Sequence, residues 1–479
     1  MKKFKSLLMA FAGVTAATLP IVAASCGNSG YIEKKDRVGV VTTDNKVTYE
    51  ALQTAANKNK DKKLLSVKVV TDTGFVTDRS FNQSSWEGAL TLADQIQEIN
   101  DKAKKAAQEA GKEFTPIELD YSKLEPGKGG ANENTLKTLV ASGTNVFILS
   151  GFTWQSPLAS FLSDKNNVNT LNENNITLIG VDFALSEKQA NGFKNFIGLT
   201  YNAGQAAYVV GQSVAELYTT QSDITNKKVA AFGGLDIPPV DTFIIGYLQG
   251  ILNYNTTNSK KDVQVAVPSG THKVNLGATF QPDQTMQGVV NETINLGSSS
   301  IMPVAGVATS MLIDALVSGN YPQTVIGVDT NQANAFPTQA GRFISSVTKN
   351  ITQSVYDTLL YVVLGINDKG IYTNNADGKP VNISGTLQMD WVGASQSTLS
   401  NTTHKDAMNA SIAKYTKAFK EGNQEDLAYI GSFKATKDGQ AYSEGSGTIA
   451  KLVDLINGTN YSEQKTPSTD VPATNNTQK

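Results

Sequence analysis

The densest chemistry in the chain lies in one short stretch, TDTGFVTDRSFNQSSWEGA at 71–89. It gathers Asp72, Asp78, Arg79, Phe81, Asn82 and Trp86, with Gly74 and Gly88 near its ends. An apolar run, LLSVKVV, ends at residue 70, so Asp72 falls at the carboxyl end of a strand, where open α/β sheets place their ligands. Ser80 and Gln83 have the spacing of a capping box opening a helix, with Phe81 and Asn82 in its first turn. Phe81 fits a hydrophobic staple as well as a ligand-facing ring, whereas Trp86, at helical spacing with Leu90 and Ala93, reads as core.

Other chemistries are poorly served. The two histidines, His272 and His404, stand in unrelated contexts, and no HExxH, paired CxxC or EF-hand loop occurs, which disfavours a metal centre. EPGKGG (125–130) lacks the phosphate-loop spacing, and EGSGT (444–448) is not a full nucleophile elbow. No nucleophile, base and orienting group come together in the pattern, and no cofactor motif stands out.

The elements that must position these residues are short apolar runs: LLSVKVV, NVFILSG, ITLIGVDF, KVAAFGG, DVQVAVP, IMPVAGVA and QTVIGVD. Helical patterns separate them at 84–98, 133–142, 202–219, 239–254, 284–297, 308–318 and 350–365. Bluntly apolar strands alternating with helices predict an α/β protein with parallel sheets covered on both faces. A length of 479 residues predicts two lobes rather than one. The polar segment 44–63 interrupts the first strand-to-strand passage, and 103–114 extends a helix into solvent. A formal charge of −2, without a basic stripe, argues against nucleic-acid binding.

The N-terminus, MKKFKSLLMAFAGVTAATLPIVAASC, has a lysine-rich head, an apolar stretch and small residues before Cys26, the layout of a secretory signal. VAASC resembles a bacterial lipobox, which implies acylation of Cys26 and anchoring to the lipid bilayer at the outer face of the cell membrane. The alternative is a buried thiol. Cys26 is the only cysteine, so no disulfide can form within the chain.

The opening stretch is similar to the leading motif of the basic membrane protein family, which includes purine nucleoside receptors of spirochaetes. FGGLDIPPVDTFIIGYLQGI (232–251), VAGVATSMLIDAL (304–316), VIGVDTNQ (325–332), FISSVTKNITQSVYDTL (343–359) and LQMDWVGASQSTL (387–399) resemble later family segments in the same order. The Asn/Lys-rich, histidine-poor composition is similar to that of mollicute proteins. The resemblance implies two doubly wound Rossmann-like lobes of the type I periplasmic-binding-protein-like fold, joined by three crossovers and closing by a hinge on a nucleoside.

Carried over, the resemblance places Asp72, Phe81 and Asn82 in the first-lobe wall, Phe280 as the second ring against the base, and Gly306, Asp329 and Lys349 around the ribose. An ionised Asp329 suits two vicinal hydroxyl donors. The family usually has a base-reading carboxylate shortly after LSGF; TWQSPL follows here, which puts Trp154, Gln155 and Ser156 in that region and leaves the choice of base open. The expected division is a signal at 1–25, a tether at 26–37, a first lobe from 38–198 with 343–372, a second from 199–342 with 373–460, and a disordered tail at 461–479. The implied role is capture of a nucleoside, a purine nucleoside foremost, for an ABC-type permease. Rival readings are an adhesin on the same scaffold, a receptor for another small polar ligand such as a sugar, and an enzyme acting on nucleosides.

Overall fold

The computed structural model describes residues 30–258, 262–277, 279–367, 370–372 and 379–458. Cys26, the signal at 1–25 and the tail at 461–479 lie outside the described residues.

The strands run in chain order β1 (Val67–Thr71), β2 (Tyr121–Leu124), β3 (Val146–Ser150), β4 (Thr177–Val181), β5 (Phe196–Tyr201) and β6 (Lys228–Gly233). There follow β7 (Gln264–Val265), β8 (Ser300–Val304), β9 (Thr324–Asp329), β10 (Phe343–Lys349), β11 (Val381–Gly385) and β12 (Val392–Ala394). They form two sheets of six strands, ordered β11-β5-β4-β3-β1-β2 and β12-β10-β9-β8-β6-β7. Pairing is parallel throughout except between β10 and β12. β3 and β8 are buried along their whole lengths, as strands covered on both faces must be.

Helices α1 (Phe81–Glu109), α2 (Ala203–Thr220), α3 (Pro238–Thr257), α4 (Ile351–Leu359), α5 (Thr402–Glu421) and α6 (Gly445–Asn457) carry most of the packing used below. The chain passes between the sheets three times: from β5 to α2, from β10 to α4, and from β11 to β12. This is the two-lobed, three-crossover arrangement of the type I binding-protein-like fold. Each sheet reverses its winding once, between β1 and β3 in the first and between β6 and β8 in the second. Strand ends at such reversals open a crevice suited to a ligand.

Several local expectations change. β10 belongs to the second sheet and β11 to the first, whereas the expected division put 343–372 in the first lobe and 373–460 in the second. Both strands sit just before a crossover, and nothing in FISSVTK or VNISG marks which sheet each joins. DVQVAVP yields only the two-residue β7. The polar segment 44–63 contains a helix, Tyr49–Asn57, that precedes β1 rather than interrupting a passage between strands. From Gly30 onward the expected tether lies along α1: Arg37 pairs with Asp94 at 2.7 Å, and the Trp86 indole N–H donates to the Gly30 carbonyl at 2.7 Å.

Candidate functional site

The stretch at 71–89 is a turn organised by one half-buried carboxylate. Asp78 Oδ1 accepts from the backbone N–H groups of Ser80 and Gln83 at 2.9 and 3.1 Å, and its Oδ2 accepts from that of Asn82 at 2.9 Å. Asp78 therefore satisfies the orphan N–H groups at the start of α1. The Ser80–Gln83 capping box does not form: the Ser80 side chain makes no cap hydrogen bond. The Gln83 amide donates instead to Glu87 at 2.8 Å and to the Asp36 carbonyl at 3.2 Å. A carboxylate two residues before the cap offers two oxygens to three donors, which a serine hydroxyl cannot match. Trp86 is buried in the core of the first lobe.

Asp72, just past β1, accepts from the Thr73 and Gly74 N–H groups at 2.6 and 3.4 Å and from the Thr153 hydroxyl at 3.1 Å. Burial pushes its carboxyl above the ordinary range, although those donors and Asn82 oppose the shift. The close approach of β3's end explains Gly151: its φ is +119°, and a Cβ there would lie 2.2 Å from the Asp72 carboxylate. Asn82 is buried, donates to Asp78 at 3.1 Å, and keeps its side-chain oxygen unpartnered among the described residues.

Opposite, Asp329 ends β9 and Lys349 ends β10. The Lys349 ammonium lies 2.9 Å from Asp182 Oδ2 and 3.8 Å from Asp329 Oδ1. The rings of Phe243, Phe81 and Tyr201 surround it at 5.0, 6.0 and 6.0 Å, and Phe81 comes from the first lobe while Phe243 comes from the second. Burial alone would favour the neutral amine, but Asp182 and Asp329 outweigh it and hold Lys349 above its ordinary value. Burial raises Asp329 as well, with Lys349 opposing. The other contact of Asp329 is with the Ser80 hydroxyl at 3.5 Å, at the limit of a hydrogen bond. Asp329 is thus an enclosed acceptor with loosely held oxygens.

Phe280 packs its ring over Gly234, where a Cβ would lie 2.5 Å away, and meets Phe152 of the first lobe edge-on at 6.0 Å. Gly306 is exposed after β8, with nothing within 4 Å of where its Cβ would stand. Gln155 donates to the Ala184 carbonyl at 2.8 Å. Trp154 is fully buried in the apolar cluster of Val70, Leu149, Leu158 and Phe183, so it serves as core of the first lobe. Its indole N–H has no partner among the described residues.

Asp182 was not singled out by the sequence, yet a signal for it exists. LIGVD at 178–182 and VIGVD at 325–329 end β4 and β9, which occupy equivalent places in the two sheets. Both aspartates have left-handed backbones, with φ of +69° and +64°. With Arg79 at +55°, three non-glycine residues in this rare region meet around the cleft. The Arg79 guanidinium reaches across to the Ala335 carbonyl of the second lobe at 2.9 Å.

The whole-chain arrangement agrees with a comparison by family: ABC transporter substrate-binding proteins of the PnrA-like type match residues 65–420. The chain belongs to the Bmp family. As a Bmp protein it is a solute-binding component rather than an enzyme, serving a small-molecule ligand and the permease of an ABC transporter. It is similar to an uncharacterized lipoprotein of Mycoplasma genitalium, 23% identical, with 78% of this chain and 77% of that protein covered. It also resembles a CD4+ T-cell-stimulating antigen of Listeria monocytogenes, 26% identical over 43% of this chain and 48% of that one. Among solved structures, an ABC transporter solute-binding protein of Aeropyrum pernix overlays with a TM-score of 0.48 and 19% identity, covering 82% and 91% of the two chains. Among the described residues, no helix is long and apolar enough to cross a membrane.

Proposed function

We propose that this Bmp protein captures a nucleoside in the cleft and delivers it to its permease, anchored at the outer membrane face through an acylated Cys26. The observation that carries the reading is Asp329: a half-buried carboxylate with long, weak contacts, set beside an ammonium and within a group of rings contributed by both lobes. Two loosely held oxygens suit the paired hydroxyls of a ribose, while Phe81 and Phe280 supply faces for a flat base. Asp72 and Asn82 add polar atoms on the first-lobe wall, and Gln155, through its amide oxygen, is an acceptor near the base. Gly306, with open space over its backbone, leaves room for the ligand. Closure then comes from contacts such as Arg79 with Ala335, which span the lobes.

A sugar receptor uses the diol acceptor without needing both phenylalanines, so the rings separate the two readings. The test is extraction of the small molecule retained by the natively purified protein, with identification by mass spectrometry. A ribonucleoside is expected. A free sugar, amino acid or peptide recovered in stoichiometric amount would replace the nucleoside assignment.

A further inference from the structure

Lys349 is held between two aspartates that are counterparts in the two lobes, and it is not shared equally. Asp182, from the first lobe, takes a direct hydrogen bond at 2.9 Å; Asp329, from the second, stands off at 3.8 Å. Asp182 is fixed in place, because its own N–H donates to the Leu199 carbonyl at 2.7 Å while its backbone is held at φ +69°. The side chains of Lys349 and Asp182 are only 4% and 9% exposed, so solvent does little to screen the choice.

We propose that Asp182 is a positioning residue for ligand binding: it holds the Lys349 ammonium away from Asp329, so that Asp329 keeps its oxygens for a vicinal diol of the ligand. The inference rests on reading Asp329 as the diol acceptor. A buried ammonium with one carboxylate removed pairs with the one that remains. Without the Asp182 charge, Lys349 moves onto Asp329 and occupies an oxygen that a hydroxyl would otherwise use. The first lobe thereby prepares a binding group of the second as the cleft closes.

The test is calorimetric titration of the unmodified protein and Asp182→Asn with a ribonucleoside and its 2′,3′-dideoxy form. The ribonucleoside is expected to lose about tenfold in affinity, the net worth of one hydrogen bond to a charged group, and the dideoxy form far less. The preference between them therefore shrinks. Asp182→Glu should restore part of it, since the charge returns. Equal losses for both ligands would overturn the proposal and reduce Asp182 to a lobe-to-lobe tie, and an unchanged preference would overturn it too. If Asp182→Asn does not fold, Asp182→Ser gives the same comparison. Wild-type protein that binds the two forms equally would instead sink the diol reading of Asp329 itself.

Discussion

At the residue scale, the cleft divides its work between rings and carboxylates. Phe81 and Phe280 come from different lobes, and in the proposed site each would stack on the base. Phe81→Ala and Phe280→Ala should each weaken nucleoside binding by about 1–3 kcal/mol, roughly tenfold to a hundredfold in affinity. Binding of free ribose, if measurable, should change little; isothermal titration reads both, and an unaltered nucleoside affinity in either variant would remove that ring from the site. Asp72 was readable as a residue at a strand end, whereas Phe81, Asn82, Asp329 and Lys349 were named through the family resemblance, and the structure puts Phe81, Asp329 and Lys349 near one another. Asp78 was visible as a residue, but its role was not, since the local pattern pointed to Ser80 as the helix cap. Asp182 was hidden in the run ITLIGVDF, where a lone aspartate reads as a turn residue. The match of LIGVD to VIGVD hints at it, and the partner lysine, 167 positions away, gives it meaning.

At the element scale, the seven apolar runs each fall on a strand, but β2, β5, β10 and β11 were not among them, because short or polar strands such as VNISG carry little apolar signal. The glycines of FGGLDIPPVDTFIIGYLQGI find their reason only in packing. A Cβ at Gly246 would meet the Gly204 carbonyl at 2.2 Å, and one at Gly250 the Tyr208 carbonyl at 2.2 Å, so α2 and α3 touch backbone to backbone. The start of α6 presses its Gly445 backbone on α3 at a side chain, the carboxylate of a fully buried Asp241. Burial, then the nearby Asp236 and Glu444, push the Asp241 carboxyl up to about 8 from the ordinary 3.8. A raised carboxyl stabilises the fold fully below its unfolded value, and that contribution is lost as pH rises through about 8. Asp241→Asn, which stays neutral, should therefore match wild type in melting temperature only below the ordinary carboxylate value of 3.8, and exceed it by a margin that grows as pH rises from there to about 8. Parallel melting curves across that range would show that Asp241 titrates normally.

At the scale of the whole molecule, two pseudo-equivalent sheets face each other across strand ends, and the chain passes between them three times. Such a frame moves by hinge closure, and its ligand is buried from both sides. The expected anchor lies outside the described residues, so its test is biochemical: Cys26→Ser should release the protein from membranes into the medium, as read by fractionation after a high-salt wash. Retention on the membrane would mean that something other than an acyl chain holds it. The central claim, that the cleft holds a nucleoside, is tested most directly by titrating the purified protein with a panel of ribonucleosides, free ribose and the free bases. At least one ribonucleoside should bind about a hundredfold or more tighter than ribose and than its own base, because only the intact molecule engages the rings and Asp329 together. Ribose or a free base binding as tightly as every ribonucleoside would contradict it.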